Sequence, residues 1–517
     1  MGPSWRWGGV AMDDTPAKPV GAAAPPQAAE RRARLRANAI GLKDAVIVGM
    51  ASSGPTASIA LTLAAIVSAA NYGGPIAVLI CALPMFGIAL AYRRLNRWHV
   101  DCGASYTWIG RAITPYLGFI VGWIMLLGYF LGTISDVLPI GPYVLAAFAP
   151  GSQNSTFATA LSGGIWLVVV TIIAYIGIKV TARFQWVLAT VEYLTISVFA
   201  IVGLVAVFGG NSKSASFQWS WFSWSGIGGT SGLVGGILIA VYMFSGWDTS
   251  IYVNEETERS RVNPGRAVLI SVATLTFMYT FFTFAYQGAV KRGALLSHGG
   301  NALFYIVKQL AGSPWDKVMI VAVLLSVVGA TQTALVSGAR IAFAMGGDGT
   351  LPRALGKTHP VHRTPAVATL LFAGLALIVL WLYVLGSSSV QGAFTNVISS
   401  VGLMFALFYA ATGLGMAVYY RKLAVRSVRG FVELMVVPGL SAAFLLWVAV
   451  KSVPGLGGWG STVMKLAYVM IAIGVLLMIV ARARHQTDYF NRPIEAYEPG
   501  AAAAIEASQE PGYRDER

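Results

Sequence analysis

Charge is what this chain lacks most. Only 11% of its 517 residues are Asp, Glu, Lys or Arg, less than half the share of about 25% found in ordinary soluble domains. Cysteine is nearly absent. Cys81 and Cys102 fall in or beside apolar runs and are too few for a disulfide framework. The histidines, His99, His298, His359, His362 and His485, all lie outside the apolar runs. His359 and His362 share one connector without a third ligand at metal spacing, which argues against a metal enzyme. No G-x-x-x-x-G-K-[ST] nucleotide loop occurs, so ATP-driven pumping by this chain is not expected. Repeated rings of charge or a polar-lined pore, the marks of a channel, are missing too. No enzyme activity, cofactor or metal is expected.

Apolar residues fill the space that charge leaves. They make up 56% of the chain, with 58 glycines and 12% aromatics. Gly, Trp and Tyr are enriched in membrane helices and at their interfaces, so the composition is that of an integral membrane protein. The net charge of +15 is spread between the apolar runs and does not form a nucleic-acid patch. The partner it implies is the lipid bilayer. Residues 1–40 are rich in Ala and Pro, end in 31-RRARLR-36 and lack the apolar core and cleavage site of a signal peptide. They read as a disordered cytoplasmic tail, and 486–517 as a second one.

A bilayer core of roughly 30 Å takes about 20 apolar residues as a helix. All-α architecture with twelve spans is expected, near 44–70, 74–95, 104–147, 162–180, 184–208, 230–257, 266–288, 315–345, 364–386, 391–420, 430–452 and 461–483. The third is long, with Pro115 bending or interrupting it. No gap could hold a separate soluble domain, so 41–485 reads as one membrane domain. With both termini inside, the inner connectors gather the arginine groups at 93–97, 259–266 and 421–429, as orientation by Lys and Arg requires. The aromatic stretch 217-FQWSWFSW-224 then marks the outer interface. The expected location is the cell membrane, multi-pass, with cytoplasmic termini.

Two spans spoil their own backbone. In 45-AVIVGMASSGPTASIALTLAAIVSAA-70, Gly54 and Pro55 interrupt the helix midway. Pro55 can open a second half-helix, with Ser53 or Gly54 as its cap and the N–H groups of Thr56, Ala57 and Ser58 free. Such an end suits a carboxylate. In 241-VYMFSGWDTSIY-252, a half-helix ending near Ser245 leaves the carbonyls of Tyr242, Met243 and Ser245 bare for an ammonium group. Broken spans 1 and 6, five apart, are what an inverted five-plus-five repeat predicts. The substrate site is expected from Ala51, Ser52, Ser53, Gly54, Pro55, Thr56 and Ala57 on span 1, and from Tyr242, Met243, Ser245, Gly246 and Asp248 on span 6.

Three blocks carry a family resemblance: 103-GASYTWIGRAITPYLGFIVGW-123, 244-FSGWDTSIYVNEETERSRVNPGRA-267 and 340-RIAFAMGGDGTLPRALGKTHPVHRTP-365. Over roughly residues 40–485 the chain resembles the amino acid–polyamine–organocation (APC) superfamily of permeases. The resemblance implies a LeuT-like fold and alternating access around a site between spans 1, 3, 6, 8 and 10. It also implies that span 1 holds the substrate carboxylate and span 6 the amine. The chain departs from the pattern in 52-SSGPT-56, where Pro55 removes a donor. In span 8, 331-TQTA-334 is small and polar where some relatives carry an aromatic. Glu192 of span 5 stands where proton-coupled members often have lysine.

Asp136, Glu192 and Asp248 lie well within spans, where each carboxylate costs about 2.5–3.5 kcal/mol, and such residues are functional by default. Glu192 is the expected ion-coupling residue, since a carboxyl that gains and loses a proton can couple proton entry to substrate entry. Asp248 is expected to bind a cationic group, shuttle a proton or cap the second half of span 6. Asp136, near Pro139, reads as interfacial. Glu255, Glu256 and Glu258 are expected to form salt bridges with Arg259, Arg261 and Arg266. Met125, Tyr129, Thr331, Ser399 and Ser400 are candidate gates or pocket walls. The favoured function is import of an amino acid, with a proton as the coupling ion and sodium left open. The alternative is a polyamine or organic-cation transporter using Asp248 and Glu192, and a third reading is a transport-inactive nutrient sensor. Oligomeric state is not legible.

Overall fold

A chain inside hydrocarbon must satisfy its own backbone donors and acceptors, and the apolar runs accordingly become helices. The computed structural model describes residues 35–148, 155–386, 390–454, 458–484 and 487–497. Among the described residues there is no β-strand, and an isolated bridge pairs Ile40 with Thr257.

The first span is two helices, α1 (Leu42–Ser53) and α2 (Pro55–Ala70). A tight turn at Asn71–Gly73 leads into α3 (Gly74–Trp98). The long third run is cut into α4 (Ser105–Ala112), α5 (Pro115–Val137) and α6 (Ile140–Phe148). Pro115 opens α5 because the first helical position needs no N–H. α7 (Thr156–Ile176) and α8 (Ile178–Phe208) meet at Gly177, whose φ is 142°. That backbone suits glycine, and it moves the break expected between 180 and 184 earlier.

The second half begins with α9 (Gly229–Phe244), α10 (Thr249–Tyr252) and α11 (Asn263–Gln287). Two short helices, α12 (Arg292–His298) and α13 (Ala302–Ala311), precede α14 (Trp315–Gly347). Then come α15 (Ala366–Leu385), α16 (Val390–Tyr419), α17 (Arg421–Ala424) and α18 (Val428–Phe431). A π turn at Val432–Val436 carries α18 into α19 (Val437–Ser452), and α20 (Thr462–Ala483) ends the bundle.

Among the described residues ten segments are long and apolar enough to cross a bilayer, so the chain is a multi-pass membrane protein. One of them is the run Leu42–Trp98, which contains the turn at Asn71–Gly73, and α15 falls in the shorter apolar class. α14 is the central helix: 78% of its most apolar window is buried, against 22% for α20, which lies at the periphery. α14 packs on α5, α8 and α1, while α3 packs on α11 and α16 on α5 and α9.

Of the expected tails, residues 1–34 and 498–517 lie outside the described residues. Residues 487–497, expected as tail, lie across the ends of α4 and α16. Tyr489 stacks on Tyr106 at 4.7 Å, Arg492 pairs with Asp348 at 2.7 Å, and Arg111 bonds Glu495. In the aromatic stretch, Trp219 and Trp224 are exposed as expected of a belt, whereas Trp221 is buried and stacked on Tyr72.

Candidate substrate site

Both interruptions exist, and they touch. Gly54 separates α1 from α2 with φ 49° and ψ 65°, a left-handed conformation that glycine adopts without a Cβ penalty. α14 comes close behind it, for a Cβ at Gly54 would stand 3.2 Å from the Ala330 Cβ. On the other span α9 stops at Phe244. Ser245 is extended, Gly246 has φ 99°, and the chain resumes as the single turn α10. A Cβ at Gly246 would lie 2.8 Å from the carbonyl oxygen of Ser52. The Thr249 hydroxyl donates to Ser52 Oγ at 2.9 Å and meets Ser337 of α14 at the same distance.

Several half-helix ends expected to be bare are already partnered. The Ser58 N–H bonds the Gly54 carbonyl at 2.7 Å, and the Ala57 N–H bonds Ser326 Oγ at 3.1 Å. Among the described residues this leaves the Thr56 N–H as the donor of the expected three without a partner. Gly54 is the cap residue of α2 and has no side chain to fill the role. The Tyr242 carbonyl is taken by both the N–H and the hydroxyl of Ser245. Among the described residues no donor reaches the carbonyls of Met243 and Ser245.

A cavity of about 350 Å³, its open mouth included, lies against the two breaks. Of the residues expected to bind substrate, Ser52, Ser53, Tyr242, Ser245 and Gly246 line it, and so does Tyr129 from the gate set. The Ser53 hydroxyl is buried without a hydrogen-bond partner. Ala51, Gly54, Pro55, Thr56, Ala57 and Met243 stand behind the lining. Met125 and Thr331 are fully buried, Thr331 bonding the Val327 carbonyl, and neither lines the cavity. Ser400 is buried outside the lining, and the Ser399 side chain lies outside the described residues. Ser58, expected as a backbone donor, also lines it, and Gly132, Ser135, Asp136, Ala334, Val401 and Phe405 line the cavity without having been expected to. On α5 the signal was available: Gly132, Ser135 and Asp136 share the face of Tyr129 at helical spacing.

Of the two acids, Asp136 lines the cavity and Asp248 does not. Asp248 is fully buried and does not line the cavity. Its Oδ1 accepts from Tyr129 at 2.7 Å and Tyr409 at 2.8 Å, while its Oδ2 accepts from Tyr92 at 3.4 Å and from Tyr252. A carboxylate has room for about four donors, so this one is saturated. Nor does its side chain cap α10. The tyrosines come from α3, α5, α10 and α16, and the carboxylate ties these elements together. Asp136, read as interfacial, faces the cavity instead. Glu192 is buried on α8 beside Ser326 and Thr56, and its Oε2 has no hydrogen-bond partner.

The other end of the bundle is closed by a buried pair. Arg340 Nε donates to Glu256 at 2.7 Å, with side chains 3% and 1% exposed. Glu256 thus pairs across the fold, because the chain turns it inward toward α14, away from the neighbouring Arg259, Arg261 and Arg266. Arg261 instead donates to the carbonyls of Arg97 and Trp98. Asn254 donates to Asn96 at 2.8 Å in the same layer, and Glu255 accepts from the Cys102 N–H.

A family model described as amino acid permease matches residues 40–489. The low-affinity putrescine importer PlaP of Escherichia coli K12 is 25% identical over 312 residues, covering 59% of this chain and 66% of the importer. The human Asc-type amino acid transporter 1 is 27% identical over 297 residues, 56% of this chain and 55% of that protein. In both cases the match spans less than two thirds of the relative. The branched-chain amino acid permease BcaP of Bacillus subtilis is 24% identical over 457 residues, 85% of this chain and 92% of BcaP.

Proposed function

The chain belongs to the amino acid permease family, and on that premise we propose that it is a secondary transporter importing an amino acid across the cell membrane by alternating access, coupled to protons. The observation that carries this reading is the cavity set against two touching helix breaks. The amino end of α2 carries partial positive charge and the carboxyl end of α9 partial negative charge. A zwitterion answers both. Its carboxylate takes the Ser53 hydroxyl, which lacks a partner, with the Thr56 N–H behind it. Its ammonium group takes the Ser245 carbonyl.

Glu192 is the proton site in this reading. It stands beside Ser326, whose Oγ accepts the Ala57 N–H at the start of α2. Charging or neutralising Glu192 therefore changes the hydrogen bonding that holds the broken end of span 1. In this reading the buried Glu256–Arg340 pair is part of a closed layer and parts for release. The topology proposed is twelve crossings, with Leu42–Trp98 crossing twice and α15 crossing once, both termini cytoplasmic, and the two halves related as an inverted repeat.

Uptake by the purified protein in liposomes tests the proposal, with a panel of amino acids and amines and each ion gradient imposed separately. Accumulation driven by a pH gradient supports it. Binding without accumulation would identify a sensor, and a requirement for sodium without response to pH would overturn the proton coupling. A polyamine substrate is the second reading, favoured by the likeness to the putrescine importer.

A further inference from the structure

Asp136 is the one carboxylate among the residues that line the cavity, and none of them is Lys, Arg or His. Its side chain is partly open, and among the described residues no basic side chain pairs with it. A carboxylate at membrane depth is costly unless something of opposite charge answers it. Asp248 has four hydroxyl donors for that purpose, whereas Asp136 has the Ser135 hydroxyl beside it.

Its position says what the answering group would be. Asp136 lies seven residues beyond Tyr129 on α5, which is two turns on the same face and about 10 Å along the axis. Tyr129 marks the level of the α9 break, because its hydroxyl bonds Asp248. Gly132, Ala334, Val401 and Phe405 add apolar or side-chain-free wall to the same cavity, alongside Tyr242. Ser135 donates to the Gly132 carbonyl at 2.8 Å and lies within hydrogen-bonding reach of the Asp136 carboxyl and of Tyr242. The cavity therefore presents an acceptor at the break and a carboxyl group farther along α5, with apolar wall at Val401 and Phe405 among its lining.

We propose that the cavity selects a substrate bearing an ω-ammonium group on an aliphatic arm, with Asp136 and Ser135 holding that group and the methylenes lying against Val401 and Phe405. This rests on the reading of the cavity as the transport site. A cationic amino acid and an aliphatic diamine share this chemistry. They differ in whether the carboxylate half of the site, at Ser53 and Thr56, is used.

Lysine, norleucine and putrescine tested against purified protein, by competition in proteoliposomes and by thermal shift in detergent, separate the possibilities. Norleucine keeps the arm of lysine and lacks its terminal charge. Lysine or putrescine should outcompete norleucine, and Asp136→Asn should lower the cationic-to-neutral preference about tenfold or more, as loss of one partner of a desolvated charge pair does. Asp136→Glu should restore part of that preference. Preference for lysine over putrescine would place the carboxylate half in use, and the reverse would make the substrate a diamine; both support the inference. Norleucine binding as well as lysine, with the ratio unmoved in Asp136→Asn, overturns the inference while the transport reading stands. If the variant does not fold, the wild-type ranking alone decides. Absence of binding and uptake for all three overturns both.

Discussion

Gly246 rests against the backbone of Ser52 so closely that a Cβ would stand 2.8 Å from the Ser52 carbonyl oxygen and 2.7 Å from its Oγ. The contact joins the two breaks. Gly246 also holds φ at 99°, which L side chains rarely adopt. Gly246→Ala should therefore cost about 1–3 kcal/mol in backbone strain alone and part the two half-helices. A lower melting temperature in detergent and lost uptake are expected. Gly439→Ala is the control: nothing lies within 4 Å of its Cβ position, and a helical alanine there should leave stability equal or slightly higher.

Asp248→Asn should weaken the fold before it changes substrate choice. An amide offers two donors where the tyrosine cage needs acceptors, and each buried hydroxyl left unpaired costs about 1–3 kcal/mol. Thermal stability should fall, with uptake of cationic and neutral substrates falling together. Selective loss of cationic uptake at unchanged stability would mean that Asp248 touches the substrate after all.

The Glu256–Arg340 pair should show strong coupling. Removing one partner of a buried ion pair typically costs about 3–5 kcal/mol, whereas replacing both with apolar residues can be neutral. Glu256→Leu and Arg340→Met alone should each lower the melting temperature steeply, and the double variant should recover most of the loss. If the pair must part in each cycle, the double variant should also move substrate between the two sides at an altered rate. Additive effects on stability would contradict the coupling.

Glu192→Gln removes the proton site and keeps the shape. Accumulation driven by a pH gradient should be abolished, while counterflow of labelled against unlabelled substrate persists. Wild-type uptake that needs sodium and ignores pH would count against Glu192 as the coupling acid.

The breaks were legible because glycine and proline act locally: Gly54–Pro55 and Gly246 announce themselves inside apolar runs. Ser52, Ser53, Tyr242 and Ser245 follow from their position beside those breaks. Partners brought from far along the chain were not legible. The four tyrosines around Asp248 come from four separate helices, and Arg340 meets Glu256 from 84 residues away. Asp136 stands at the end of α5, as its nearness to Pro139 suggested, but its place in the cavity wall was not legible because the facing residues come from other helices. Occupied backbone donors were hidden for the same reason, since Ser326 reaches Ala57 from another helix.

The most direct measurement is thermal stabilisation of the purified protein by lysine and by norleucine, each compared with its methyl ester and its N-acetyl form. If a zwitterion bridges the two broken ends, the free amino acid stabilises the protein and blocking either end weakens binding about tenfold or more, as expected when a charge-assisted hydrogen bond of roughly 1.5–3 kcal/mol is lost. Equal stabilisation by the free and the blocked forms would show that the Ser53 hydroxyl, the Thr56 N–H and the Ser245 carbonyl do not hold the substrate.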